Sequence, residues 1–216
     1  MLSTLSKNGG MLAAFAVVTT ALIAFTFEGT RERIAFQQQQ RLLGVLNEVV
    51  PARYHDNVLF KDCATVTDPA LGNTLPHLVY RARNNGEPSA LAIETTAPNG
   101  YSGNIELVVG VSATMEVLGV RVVEHKETPG LGDKIELAVS DWILSFTGKQ
   151  FSADSVERWQ VKSDGGEFDA FTGATITPRA VVNAVKRTLV YVNENQQDLF
   201  ARPNQCQPPK ATGDKV

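Results

Sequence analysis

Three threonines crowd one short stretch of the chain, Asp169-Ala-Phe-Thr172-Gly-Ala-Thr175-Ile-Thr177-Pro178. A threonine hydroxyl can shape a turn, cap a helix or be joined to a phosphate. The stretch holds a glycine turn and then runs into Val181, Ala184, Val185, Thr188, Leu189 and Val192, whose spacing predicts the buried stripe of a helix. Thr177 before Pro178 is expected to start it, since threonine is favoured at the N-cap and proline at the first helical position. A helix start gathers free N–H groups and positive partial charge, so it suits a phosphate. A phosphate-bearing cofactor held by Thr172, Thr175 or Thr177 would sit where that field is strongest. The same residues also have a purely structural reading, as a glycine turn feeding a capped helix.

Other candidates divide in the same way. Glu127-Thr-Pro-Gly-Leu-Gly132 is a turn, with Pro129 and Gly130 in type II order. Its functional reading is that the glycines let backbone approach a flat ligand, with Leu131 offered to its ring. Gly-Leu-Gly is not the dinucleotide fingerprint, and there is no P-loop. Gly100-Tyr-Ser-Gly103 is another turn, whose Tyr101 could stack on a ring. Lys162 reads as a solvated charge unless a phosphate lies near. His55, His77 and His125 stand alone in sequence, no nucleophile–base pair can be argued from spacing, and Trp159 reads as core.

These residues need a scaffold. His77–Arg83 and Ser89–Thr96 flank Asn-Asn-Gly-Glu-Pro, a hairpin signal. Ile105, Leu107, Val109 and Val111 alternate, and Val117–His125 follows after a short turn, which predicts a second hairpin. Asp133 and Glu136 fit a capping box ahead of Ile135, Val139, Trp142, Ile143 and Phe146 at helical spacing. Arg31–Val50 reads as a helix with Ile34, Leu42, Leu43, Leu46 and Val49 near one face, ended by Pro51. Cys63 sits in a loop-like stretch. The expected fold class is α+β, an antiparallel β-sheet meander with packed helices, preceded by one N-terminal transmembrane helix.

The transmembrane expectation rests on Gly10–Phe27, a run without charge of about eighteen residues, near the lower limit for crossing a hydrocarbon core. A cleaved signal peptide is the alternative. The length of the run, its bulky end at Phe25 and Phe27, and the lack of a small-x-small site favour an uncleaved anchor. The basic residues, Lys7 before the run and Arg31, Arg33 and Arg41 after it, do not place the main domain outside the cytoplasm. The chain thus divides into a short tail (1–9), an anchor (10–27), a helical stalk (28–51), a folded domain (52–200) and an irregular tail (201–216). A net charge of -3 with no dense basic cluster gives no footprint for nucleic acid. Cys63 and Cys206 have no metal-ligand spacing; they are either a disulfide in an oxidising compartment or two inert thiols.

Asp169-x-x-Thr172-Gly173-Ala174-Thr175 matches the D-x-x-(S/T)-G-A-(T/S) motif that flavin transferases modify, whose last residue receives FMN through a phosphoester bond. Gly-Tyr-Ser-Gly, Glu-His-Lys-Glu-Thr-Pro-Gly-Leu-Gly-Asp-Lys and Phe171–Lys186 occur in the order of an FMN-binding domain. From the anchor to the last helix the chain resembles the G-subunit family of the Rnf (Rsx) electron-transport complexes, and more distantly the C-subunit family of the sodium-pumping NADH:quinone reductases.

The resemblance implies a covalent FMN protein anchored in a bacterial inner membrane with its domain in the periplasm. It implies partner subunits that pass electrons between ferredoxin and NAD and couple this to ion movement, and a part in keeping a redox-sensing transcription factor reduced. Thr175 would carry the FMN phosphate, and Thr172, Gly173, Ala174 and Thr177 would cradle it. Glu127, Thr128, Leu131 and Gly132 would line the flavin, with Tyr101 and Lys162 as further contacts and Asp169 as a recognition residue for a separate flavin transferase. The implied compartment favours a Cys63–Cys206 disulfide. The alternatives are a flavin subunit of another membrane redox chain, such as the sodium-pumping reductase, and a non-redox anchored assembly subunit.

Overall fold

The computed structural model describes residues 2–206; the rest of the expected C-terminal tail lies outside the described residues. The chain forms two compact units, one ending at Leu43 and the other beginning at Gly44.

The first unit is the greater part of one helix, α1 (Leu2–Val49). The expected anchor and stalk are continuous, because only Gly29 interrupts good helix formers between them, and one glycine costs about 1 kcal/mol. Lys7–Arg31, 25 residues, is long and apolar enough to cross a membrane. At about 1.5 Å per residue it reaches some 37 Å, against a hydrocarbon core of roughly 30 Å. Phe15, Leu22, Ile23 and Phe25 are exposed along it. So is Ile34, which the stalk pattern places with the buried face.

The second unit is built on a five-stranded antiparallel sheet in the order β1 (Cys63–Val66), β2 (His77–Asn84), β3 (Glu87–Gly100), β4 (Gly103–Ser112) and β5 (Val117–Glu124). Each strand pairs with the next in sequence, so the sheet is a meander. Cys63 is therefore strand, not loop; it pairs with Tyr80 across β1–β2. Ile105, Leu107, Val109 and Val111 lie in the main core, as their alternation requires. Helix α2 (Ile176–Ala201) contributes to that core Val181, Ala184, Val185, Leu189 and Val192, the expected stripe. Buried Thr188 joins it to the sheet, donating to Thr95 Oγ1 at 2.9 Å.

The segment between β5 and α2 departs from its helical spacing. It forms short 3-10 turns, Asp133–Ile135 and Asp141–Phe146 among them, rather than one α-helix. The capping box is absent because Glu136 is engaged elsewhere, 2.6 Å from His125 Nε2. Ser140 instead starts the second turn, accepting from the Trp142 N–H at 3.2 Å. Ile135, Ile143 and Phe146 still reach the core, and Phe146, Trp159 and Phe168 form an aromatic cluster there. Trp142 packs against the core, but Val139 is exposed, since the helical spacing that would have turned it inward is not formed.

Two close approaches hold the second unit together. Gly110 of β4 pairs with Gly119 of β5, leaving bare backbone where the last turn of α1 seats Val49, which is fully buried. A Cβ on Gly110 would collide with the Val49 carbonyl; one on Gly119 would lie 3.0 Å from Val49 Cα. Beside them Arg121 Nε meets Glu48 at 2.6 Å. At the other end, Arg81 and Arg83 share Asp62 and donate to the Phe200 carbonyl at 3.4 and 3.1 Å, and Arg81 also donates to that of Arg202. This caps the C-terminus of α2, where unsatisfied carbonyls and the helix dipole favour cations. A disulfide joins Cys63 to Cys206 across a separation of 143 residues.

Gly110→Ala is expected to cost about 2–3 kcal/mol, since backbone rather than a movable side chain opposes the methyl, and Gly119→Ala less. Urea unfolding of the detergent-solubilised chain measures both, and a Gly110→Ala chain as stable as the wild type would contradict the seating of Val49. Cys206→Ser is expected to lose roughly 2–4 kcal/mol by the same assay, and wild-type unfolding should then shift on adding reductant. A curve indifferent to reductant would refute the cross-link.

Candidate functional site

The threonine-rich stretch begins as a tight turn. Ala174 N–H donates to the Phe171 carbonyl at 3.1 Å, with Thr172 and Gly173 at the corner. Gly173 has φ of 81°, a left-handed conformation that a side chain would strain. Trp142 holds the turn from behind, its ring 5.1 Å from that of Phe171 and its Nε1 donating to the Asp169 carbonyl at 2.7 Å. Two ion pairs flank it, Lys162–Asp169 and Arg179–Asp164, both at 2.6 Å. Hydrogen bonds from Arg179 hold the Asp164 carboxyl below the usual carboxylate range, and Asp164 raises Arg179 in return.

The three threonines have separate environments. Thr172 is exposed at the turn corner. Thr175 occupies the N-cap place of α2 with helical dihedrals, φ -77° and ψ -21°, and its side chain makes no capping hydrogen bond. Thr177, expected to be the cap, lies inside the first turn and is 1% exposed. Its hydroxyl donates to Oε2 of Glu127. A buried hydroxyl needs a partner, and a carboxylate across the cleft provides a stronger one than the helix's own N–H groups.

Glu127 is itself buried, and its other oxygen accepts the Ser102 N–H at 2.9 Å. It therefore ties the β3–β4 turn to the start of α2. The Thr128–Gly132 turn follows, with Leu131 and Gly132 N–H groups bonded to the Thr128 carbonyl at 3.2 and 3.0 Å and Gly130 at φ of 77°. His125 supports this corner. Its Nδ1 accepts the Glu127 N–H at 3.0 Å, and Glu136 takes its other nitrogen.

Between these pieces lies an open cavity of about 350 Å³, lined by Tyr101, Glu127, Thr128, Leu131, Gly132, Gly173, Ala174, Thr175, Ile176 and Thr177. The structure thus gathers at one cavity nine residues singled out in the sequence. It does not bring Thr172 or Lys162 to the lining; Lys162 is held by Asp169 instead. Ile176 and Ser102 escape the sequence reading. Ile176, 46% exposed at the mouth, breaks the buried stripe of its helix, and that misfit was the available signal. Ser102 acts only through backbone, which side-chain identity does not encode.

The cavity suits a flat group bearing a phosphate. Tyr101, Leu131 and Ile176 offer apolar surface, at 68%, 46% and 46% exposure. The start of α2 offers free N–H groups. Around Gly173 the space is open, with nothing within 4 Å of where a Cβ would stand. The size falls within the range of cofactor sites, about 300–1,000 Å³.

Comparison with known proteins follows the same division of the chain. The FMN-binding domain family matches residues 100–190, which include the whole cavity lining. The RnfG N-terminal region matches residues 1–49, a span that takes in α1. The G subunit of the ion-translocating oxidoreductase complex from Vibrio cholerae is 54% identical over 207 residues, covering 96% of this chain and 99% of that one. Its counterpart from Pseudoalteromonas atlantica is also 54% identical over 207 residues, 95% of this chain and 96% of its own. The crystal structure of Shewanella oneidensis NqrC covers 68% of this chain and 73% of its own, at 22% identity and a TM-score of 0.46, a likeness too slight to bear on function. Identity above one half, sustained over almost the full length of both chains, is far more than a shared fold produces, and the chain belongs to the G-subunit family of ion-translocating oxidoreductase complexes, with an FMN-binding domain at residues 100–190.

Proposed function

We propose that the chain is a flavin-bearing electron-carrier subunit of a membrane-bound complex, with FMN joined to Thr175 through a phosphoester. The observation that carries this reading is the Thr175 hydroxyl. It stands at the start of a long helix, uncommitted to capping, on the wall of a cavity with apolar surface. It is also the last residue of the modification motif, within a domain whose family binds FMN. Bound there, FMN would supply one- and two-electron chemistry that the amino acids lack.

The chain's own residues have distinct parts in this proposal. The Gly173-Ala174 backbone and the first N–H groups of α2 receive the phosphate, whose negative charge the helix dipole favours. Leu131, Ile176 and Tyr101 cover the ring, while Glu127, Thr128, Gly132 and Thr177 complete the wall. Thr172 shapes the turn. Asp169, held by Lys162 and exposed, is offered to the modifying enzyme. Threonine is a weak nucleophile without a base, and Thr175 has no hydrogen-bonded base among the described residues; Glu127 is spent on Thr177 and Ser102. Attachment is therefore assigned to a separate flavin transferase.

The wider proposal places residues 10–27 in a bacterial inner membrane as a single anchor, followed by the stalk (28–51), with the folded domain (52–200) in the periplasm. The apolar helix supports the first part, and the Cys63–Cys206 disulfide suits an oxidising compartment. The partners are the other subunits of the complex, which pass electrons between ferredoxin and NAD, drive ion movement and help keep a redox-sensing transcription factor reduced.

Intact mass spectrometry of the chain made with and without a flavin transferase tests the attachment. The wild type should gain the mass of one FMN only with the transferase, and show a fluorescent band after denaturing electrophoresis. Thr175→Ala should lose both, while Thr172→Ala keeps a detectable fraction. A Thr175→Ala chain that retains the band would sink the assignment.

A further inference from the structure

Glu127 is a buried carboxylate without a cation: no ion pair involves it among the described residues. Both of its oxygens act as acceptors, one from the Ser102 N–H at 2.9 Å and one from the Thr177 hydroxyl. Both partners are neutral groups, so no cation offsets the charge of this carboxylate. Two glycines stand aside for it. A Cβ on Gly100 would lie 2.9 Å from Oε1, and a Cβ on Gly132 would lie 2.9 Å from Oε2 and equally close to the Thr177 hydroxyl. The turn after β3, the turn after β5 and the first turn of α2 therefore all close on one side chain. His125 fixes the backbone beneath it.

We propose that Glu127 is the positioning residue of the flavin pocket: it locks the three segments of the wall together and lays a fixed negative charge along the cavity, which makes the bound flavin harder to reduce. This rests on FMN occupying the cavity. The charge acts because burial limits screening by water, and the hydrogen bonds hold it in place without neutralising it. An electron added to a ring beside this carboxylate meets repulsion that a neutral side chain would not exert.

The test uses the full chain, solubilised in detergent and loaded by a flavin transferase. Glu127→Gln keeps an acceptor for Ser102 and an amide that Thr177 can accept from, but removes the charge. It is expected to carry FMN by mass and to show a higher midpoint potential in spectroelectrochemical titration. Thr177→Val keeps the charge and removes one lock; its flavin fluorescence should be quenched more steeply by iodide, and Thr177→Ser should restore the wild-type slope. A fully loaded Glu127→Gln chain with the wild-type potential overturns the charge effect, and unchanged quenching in Thr177→Val overturns the lock, even if Glu127→Gln fails to load. A wild-type chain that gains no FMN mass would instead defeat the proposed function itself.

Discussion

The hydrogen bond from Thr177 to Glu127 fixes where the rest of the site can be. Helix α2 is packed on the sheet along its length, and at the cavity its first turn is fastened to a side chain from the far side of the cleft. The sheet sets the opposite jaw through the β3–β4 turn, which reaches the same carboxylate by a backbone N–H. A helix packed on a sheet by apolar contacts alone could slide along its axis at little cost. A buried acceptor with two fixed donors removes that freedom, because leaving either oxygen unpaired would be expensive. Thr177 is thereby taken out of the capping role, and the hydroxyl at the true helix start is left uncommitted.

Much of this was legible in the sequence because it depends on period. The alternation in β4 and the stripe in α2 identified the core faces, and the glycine-containing loop before α2 lies on the wall of the cavity. What failed depended on competition between polar partners. Asp133 and Glu136 have the spacing of a capping box, yet His125 from another segment takes Glu136, and the helix gives way to 3-10 turns. Thr177 has the right residue before a proline, yet Glu127, fifty positions away, takes its hydroxyl. Lys162 has the right charge for a phosphate, yet Asp169 claims it. In each case local chemistry allowed two partners, and only the tertiary fold decided between them.

The sheet explains how a small domain can hold an open pocket without collapsing into it. Its inner face is filled by α2 and by the aromatic cluster of Phe146, Trp159 and Phe168. Its outer face accepts the last turn of α1 at the Gly110–Gly119 pair. The cavity lies where two turns and a helix end meet, so its walls are mostly backbone and short side chains. Such walls approach a flat group closely and have few rotamers to rearrange.

The disulfide has a topological consequence. Residues 63 and 206 enclose every strand, the cavity and all of α2. The folded domain is in effect a covalent ring, from which α1 leaves as a tether. A single cut anywhere between residues 63 and 206 leaves its two pieces joined, so one nick in that span cannot part Thr175 from α1 while the bridge is intact.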